Sequence, residues 1–250
     1  MKTRNTQDPS ARGFTRLELL VLCATLLILA CLALPVLAST KSRSQQIGCF
    51  SNLRQIGRAF QLWANDHLDQ PPCRTRWQDG GTYGGGSSGG GFVAPSWLIA
   101  GLQNEVYFQF YWLSNELATP KILACPSDEQ VVVAENFSGT AEGGFLHVNY
   151  RNRAVSYILG LHAFFDYPQS LLSGDRNIKY TSTSGCSGGI QFAYSLIYND
   201  PSFGWTNNIH GEAGNLLFSD GQVQYVTKAG FRGAVTNTPG NGTSHYLSRH

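Results

Sequence analysis

An uncharged apolar run near the N-terminus constrains this chain of 250 residues more than any other feature of its sequence. The run extends from Leu19 to Ala38, and its twenty residues are interrupted only by Thr25 and Pro35. A helix of about 20 apolar residues crosses a hydrocarbon core of roughly 30 Å. The sequence therefore predicts a single transmembrane helix, with residues 14–38 in the membrane.

Basic residues before the apolar run predict its orientation. Lys2, Arg4 and Arg12 are opposed by Asp8 alone. This excess should keep the extreme N-terminus in the cytoplasm and place the rest of the chain outside it. Two ordinary explanations of such a run remain open, namely a secretory signal peptide cleaved before Ser39 and an uncleaved signal anchor.

Neither explanation accounts for Glu18, because a carboxylate beside an apolar run is unfavourable and normally marks a function. The residues around it resemble the processing site of type IV pilins and type II secretion pseudopilins. In that family a basic leader ends in Gly, Phe follows, and Glu is the fifth residue of the mature chain. Gly13, Phe14 and Glu18 have this spacing, whereas Arg16 stands where the family more often has Leu.

The resemblance implies a processing step and an assembly role. A membrane prepilin peptidase would cut after Gly13, remove the leader 1–13 and methylate the new amine of Phe14. Glu18 would pair with the terminal amine of a neighbouring subunit, so that its desolvation is offset once subunits assemble.

Beyond the apolar run, the sequence predicts that the helix continues as an amphipathic upper half over residues 39–67. Ile47, Leu53, Ile56, Phe60 and Trp63 recur at helical spacing and form one stripe. The sequence thus predicts a helix of about 50 residues from position 15 to 66, near 75 Å long. A helix that begins in lipid and ends under a globular head is the pilin architecture.

The remaining residues, 68–250, are predicted to form an α+β globular head with a small antiparallel sheet. A Gly-rich loop at 80–91 contains eight glycines in twelve residues. A helix is expected at 106–117, and strands are expected at 121–125, 131–133, 154–159, 190–197, 215–218 and 222–226. Asp220-Gly221 between the last two strands predicts a hairpin turn.

Two segments of the head strengthen the resemblance. His210, nine intervening residues and then Asp220-Gly221 match the C-terminal signature of a large group of prepilin-type proteins, whose head domain is named for this His-x9-Asp-Gly spacing. A second segment resembles the Cys-x-x-Asn-Leu-Lys/Arg-Gln-Ile-Gly sequence that follows the membrane helix in the same group. Its matching residues are Cys49, Asn52, Leu53, Gln55, Ile56 and Gly57.

Four cysteines outside the apolar run, Cys49, Cys73, Cys125 and Cys186, permit three disulfide connectivities. Cys49 and Cys125 stand in the two segments that most resemble the family, and on that ground we expect them to pair. Cys49 with Cys73, Cys49 with Cys186, and free thiols remain open. The absence of Cys-x-x-Cys pairs from the sequence disfavours structural zinc.

The sequence does not predict an enzyme or a bound cofactor. His210 and Asp220 resemble part of a catalytic triad, but the sequence has no Gly-x-Ser-x-Gly nucleophile motif. Asp175, Asp200 and Asp220 offer oxygen ligands for Ca²⁺ without a calcium-loop spacing. A net charge of +2 with 14% charged residues excludes a strongly basic nucleic-acid-binding protein.

The sequence and the resemblance together imply a structural subunit of a type II secretion or type IV pilus-like filament. Its expected partners are prepilin peptidase, other pilin or pseudopilin subunits and an inner-membrane assembly platform. The expected location is the bacterial inner membrane, single-pass, with the head in the periplasm. The alternative is an anchored or secreted extracytoplasmic binding module that does not polymerise and recognises a ligand such as a glycan. Its contact residues would be Trp77, Trp97, Trp112 or Trp205.

Overall fold

A computed structural model describes residues 14–84, 102–179, 182–184, 193–197, 200, 202–238 and 243–248. At 33–42, 103, 182–184, 194–197 and 243–244 it describes the backbone alone. The predicted leader 1–13 with Gly13, most of the Gly-rich loop, Trp97 and Cys186 lie outside the described residues.

The chain divides into two compact units, Met1–Ser44 and Gln45–His250. The first long helix, α1, runs from Arg16 to Asp66, so its upper part belongs to the same unit as the rest of the head. Three shorter helices follow: α2 (Val106–Tyr111), α3 (Ser114–Leu117) and α4 (Lys228–Asn237). The strands are β1 (Tyr157–Gly160), β2 (Leu171–Asp175), β3 (Ile178–Lys179), β4 (Ser182–Ser184), β5 (Ala193–Ile197), β6 (Gly204–Trp205), β7 (Ala213–Phe218), β8 (Val223–Thr227) and β9 (Thr243–Leu247).

The transmembrane part of the predicted fold class is wrong for the described chain. No helix of the described residues is long and apolar enough to cross a membrane.

The head is an α+β unit built on a seven-stranded antiparallel sheet with the order β4-β5-β9-β1-β2-β7-β8. Sequence neighbours β1 and β2, and β7 and β8, pair directly. The C-terminal strand β9 inserts between β5 and β1, so the sheet is complete only when the last described segment is in place. A separate two-stranded ribbon joins β3 to β6.

Alternating side chains along the strands divide the apolar residues into two cores. One core contains Leu172 and Leu217 of the sheet together with Leu53, Ile56 and Phe60 of α1. The other core contains the residues that point the opposite way, and its sheet members are Ile158, Leu171, Leu216, Phe218 and Tyr246. Phe231, Ala234 and Val235 of α4 cover this second face. The sheet is therefore buried on both faces, between the upper part of α1 and α4.

Two predicted strands of the head are wrong in type. Residues 121–125 were expected to form a strand, but Pro120–Leu123 form a 3₁₀ turn, in which the Thr119 hydroxyl accepts the amide of Lys121. Residues 131–133 form no strand, and Val132 makes one backbone bond, to Arg153. The predicted helix 106–117 is interrupted between α2 and α3.

Candidate functional site

The two motif segments of the head meet where α1 lies on the sheet. Leu53 and Ile56 are fully buried in the core below the helix. Asn52 donates a hydrogen bond from Nδ2 to the carbonyl oxygen of Ala124, at 3.0 Å. Gln55 differs from these motif residues, because it is exposed and bonds only to Ser51 within the helix. Most of the first motif thus holds α1 on the head.

Two motif glycines mark close approaches between α1 and the β7–β8 hairpin. A Cβ atom on Gly57 would lie 2.8 Å from Cδ1 of Leu217. A Cβ atom on Gly221 would lie 2.8 Å from Nε2 of Gln61, and Gly221 also has a positive φ of 83°. A side chain at position 57 would require the buried Leu217 to shift, whereas at position 221 the Gln61 amide can move away and the positive φ is what disfavours a side chain.

The hairpin predicted at Asp220-Gly221 is confirmed. Strands β7 and β8 pair in register from Ala213 with Thr227 to Leu217 with Val223. Gly221 donates its amide to the carbonyl oxygen of Phe218, and the Asp220 carboxylate accepts the amide of Gln222 at 2.8 Å. Asp220 is therefore a turn residue, as expected of Asp in this position.

Cys49 and Cys125 form a disulfide bond, with their Cα atoms 4.9 Å apart. This is the pairing that the family resemblance favours. Cys49 belongs to α1 and Cys125 follows the 3₁₀ turn, and both are buried. The bond closes a separation of 76 residues and ties the helix covalently to the body of the head.

His210 faces the disulfide and a buried carboxylate. Its Nε2 atom lies 3.6 Å from Sγ of Cys125 and 3.4 Å from Oδ2 of Asp175. The His210 side chain is only 5% exposed. His210 and Asp220 resemble part of a catalytic triad in the sequence, but the structure brings His210 to Asp175 on β2 and leaves Asp220 in the turn. Sequence reasoning named Asp175 only as a calcium ligand, because nothing local links it to His210.

Asp175 is fully buried, and burial shifts the pKa of both Asp175 and His210. Burial raises the pKa of Asp175 to about 7, although hydrogen bonds from Asn215 favour the charged form. Burial also lowers the pKa of His210. Since both shifts oppose charge, the contact is not an ordinary ion pair.

The two oxygens of the Asp175 carboxylate differ in their hydrogen bonding within the described residues. Its Oδ2 atom accepts the backbone amide of Asn215 at 2.6 Å and the side-chain amide of Asn215 at 2.8 Å. Its Oδ1 atom is buried and has no hydrogen-bond partner within the described part of the chain. A buried oxygen without a partner is unfavourable and calls for an explanation.

A second buried carboxylate, Asp128, lies near this cluster and is fully paired. Arg176 donates to it twice, at 2.7 and 2.5 Å, and Ser156 donates at 2.8 Å. Burial alone would raise the pKa of Asp128, but the hydrogen bonds from Arg176 and Ser156 outweigh it and lower the pKa. A polar cavity of about 300 Å³ opens beside this pair, lined by residues 127–130, Arg176 and residues 207–209.

The three aspartates that offered a calcium site have separate partners. Asp175 is bonded to Asn215, and Asp220 to Gln222. Asp200 accepts hydrogen bonds from the backbone amide and hydroxyl of Ser202. Within the described residues, the one cluster of three potential metal-ligating side chains is different and comprises Cys49, Cys125 and His210, but the sulfurs of the two cysteines are joined in the disulfide.

Glu18 has a structural role in the single chain. Its Oε2 atom accepts the backbone amide of Thr15 at 2.9 Å, and the Thr15 hydroxyl accepts the backbone amide of Glu18 at 3.2 Å. This reciprocal pair is a capping box at the start of α1. Glu18, which the sequence explains only through the family resemblance, therefore also caps the start of α1.

Of the tryptophans considered for a ligand surface, Trp205 is buried and stacks on Phe231, with ring centroids 4.4 Å apart. Trp77 and Trp112 are half-buried. None of these three tryptophans is exposed.

Comparisons of the chain with protein families, with curated proteins and with solved structures find no match.

Proposed function

We propose that the chain is a structural subunit of a type IV pilus-like or type II secretion filament, and that it joins its neighbours through the lower part of α1. The observation that supports this proposal is a long exposed apolar surface on that helix. Phe14 is 79% exposed, Leu17 73% and Leu20 70%. Leu27 and Leu32 continue the same exposure up the helix. A soluble monomer rarely exposes such a contiguous apolar surface, whereas an assembly covers it.

The occupant that we propose for this surface is α1 of further copies of the chain. The proposal rests on the prepilin-type residues at 13–18 and on the apolar helix, and it does not require a membrane-spanning segment. Prepilin peptidase would expose Phe14 as the new N-terminus, and an inner-membrane platform would assemble the subunits. The buried Cys49–Cys125 disulfide favours an oxidising compartment for the head, such as the periplasm.

The role of Glu18 in assembly is separable from its role in capping. Glu18→Gln keeps a side-chain oxygen for the Thr15 amide, because Gln also serves in a capping box, but it removes the charge. Glu18→Ala removes both. If the charge pairs with the amine of a neighbouring Phe14, both variants are processed and both fail to enter filaments.

The experiment expresses each variant in cells and measures the subunit in sheared filament fractions, with Glu142→Gln as the control for loss of an exposed head carboxylate. Mass spectrometry of the mature N-terminus accompanies it, and we expect methylated Phe14. Normal incorporation of Glu18→Gln would limit Glu18 to capping. A mature chain that begins at Ser39 contradicts the proposal and supports a secreted module that does not polymerise.

A further inference from the structure

The polar cavity of about 300 Å³ lies between two loops of the head. One loop, residues 127–130, follows the disulfide-bonded Cys125, and the other, residues 207–209, precedes β7. Arg176, directly after β2, completes the lining. The volume is at the lower end of the range found for small-molecule sites, so the cavity has room for one small polar group.

The loop 127–130 is fixed by hydrogen bonds around Asp128. The amide of Asp128 donates to the carbonyl oxygen of Cys125 at 2.9 Å, and its Oδ1 atom accepts the amide of Gln130 at 3.1 Å. Ser156 donates to Oδ2 at 2.8 Å. A wall that is already ordered lowers the entropic cost of binding a ligand.

The loop 207–209 is held in a strained conformation. The Thr206 amide donates to the carbonyl oxygen of Asn177 at 2.7 Å, and the Asn177 side chain donates to the carbonyl oxygen of Ala213 at 3.0 Å. Ile209 has a positive φ of 62°, which is unfavourable for a β-branched residue, and its side chain packs against the core beside α1. Strain of this kind persists only where the surrounding structure imposes it, and it is frequent at ligand sites.

Three side chains at the cavity have hydrogen-bonding groups that no described residue uses. Asn207 and Asn208 are exposed, and neither side-chain amide makes a hydrogen bond within the described residues. Arg176 donates to Asp128 from Nε and Nη2, whereas its Nη1 donates to none of the described residues. The two bonds to Asp128 fix the plane of the guanidinium, so the donors on Nη1 are already oriented.

The charges around the cavity favour a neutral ligand. Arg176 and Asp128 form an ion pair, and Glu129 adds one negative charge on the exposed side. An anionic ligand would be repelled by Glu129, and a cationic ligand by Arg176. Hydroxyl groups match this lining, because each hydroxyl both accepts from an N–H group and donates to a carboxylate or amide oxygen.

We propose that the cavity binds one sugar unit of a neutral glycan. Hydroxyl groups of the sugar accept from Arg176 Nη1 and from the amides of Asn207 and Asn208, and they donate to Glu129. The carbon skeleton of the ring contacts Ile209, the one apolar residue among those that line the cavity. The site uses none of the tryptophans and does not depend on filament assembly.

The test titrates the methyl glycosides of glucose, galactose, mannose and N-acetylglucosamine into the full chain. The protein is kept in a phosphocholine detergent, whose head group carries no sugar, and saturation-transfer NMR measures binding. We expect at least one of these glycosides to bind with a millimolar Kd. The double variant Asn207→Ala with Asn208→Ala should weaken binding about tenfold, because both unpaired amides are removed.

The matched control is Asn149→Ala, at an exposed asparagine outside the cavity, which should leave binding unchanged. Circular dichroism of each variant distinguishes a loss of fold from a loss of ligand. Methyl glucuronide, which carries a carboxylate, should bind more weakly than methyl glucoside because it faces Glu129.

The proposal is overturned if none of the neutral glycosides binds the folded wild type, or if wild type and the double asparagine variant bind equally well. Tighter binding of the glucuronide overturns the choice of a neutral ligand. A blocked Gly-Ser-Gly peptide tests the other neutral class, and tighter binding of this peptide than of every glycoside, lost in the double variant, would assign the cavity to a polypeptide instead.

Discussion

A Cβ atom on Gly57 of α1 would lie 2.8 Å from Cδ1 of Leu217 on β7, so any side chain at position 57 would force the buried Leu217 side chain to shift. Gly57 ends the first motif segment, and Leu217 lies in the strand between His210 and Asp220. The packing contact between Gly57 and Leu217 therefore joins the two motif segments.

Gly57→Ala should lower the free energy of unfolding by about 1 to 3 kcal/mol, because the added methyl group overpacks the contact with Leu217. The matched control is Gly233→Ala on α4, where an added Cβ meets nothing within 4 Å. There the better helix propensity of Ala should leave stability equal or raise it by up to about 1 kcal/mol. Urea unfolding measures both, and a Gly57→Ala protein as stable as wild type would contradict the packing argument.

Removal of the disulfide by Cys49→Ala with Cys125→Ala should lower the free energy of unfolding by about 4 kcal/mol, since the bond closes a loop of 76 residues. Unfolding is measured with a chelator present, so that no metal contributes. The control adds a phosphine to each protein: it should destabilise wild type and leave the double variant unchanged. If the phosphine destabilised the wild type and the double variant equally, its effect would not come from reduction of the Cys49–Cys125 bond.

The stability of the head should depend on Asp128 at acid pH. The hydrogen bonds from Arg176 and Ser156 lower the pKa of Asp128 in the folded state despite burial. Its contribution is therefore present above the unfolded value of about 3.9 and is lost as the pH falls through the lowered folded value. Asp128→Asn, which leaves the partly buried Arg176 without its counter-ion, should cost about 3 kcal/mol at pH 7.

The difference between wild type and Asp128→Asn should shrink as the pH falls below about 4, and it should disappear only below the lowered folded pKa, where the carboxylate is protonated in both states of the wild type. Denaturant unfolding across pH 2 to 8 measures it. Glu129→Gln removes an exposed neighbouring carboxylate and is the control. It shows whether the loss of any nearby carboxylate produces the same pH-dependent difference in stability. A constant difference at every pH would exclude the linkage to Asp128.

Processing of the proposed filament subunit should depend on Gly13, because the resemblance implies a peptidase site that admits no side chain before the cut. Gly13→Val should accumulate as unprocessed precursor, whereas wild type should begin at Phe14. Intact-mass measurement of membrane fractions distinguishes the two. A Gly13→Val chain that begins at the same residue as wild type would remove the support for prepilin processing.

Local sequence patterns correctly predicted the elements whose own residues show a helical period or a turn sequence. The apolar stripe from Ile47 to Trp63 indicated the upper helix, and Asp220-Gly221 indicated the hairpin, because helical periodicity and turn chemistry act over a few residues. The same local reasoning missed β2 and α4. β2 includes Ser173 and Gly174 in a buried position, and α4 contains two glycines, so neither has the propensity of its observed structure.

The sequence by itself determined the amphipathic helix, the hairpin, the α+β class and, through the family resemblance, the cysteine pair. Only the tertiary structure decided that His210 faces Asp175 and the disulfide rather than Asp220. Nine residues lie between His210 and Asp220, but the hairpin register places Asp220 in the turn at the far end of β7. Pairing of β2 with β7 brings Asp175 beside Asn215, and with it the buried carboxylate to His210. Such contacts depend on strand pairing between distant segments, which no local periodicity encodes.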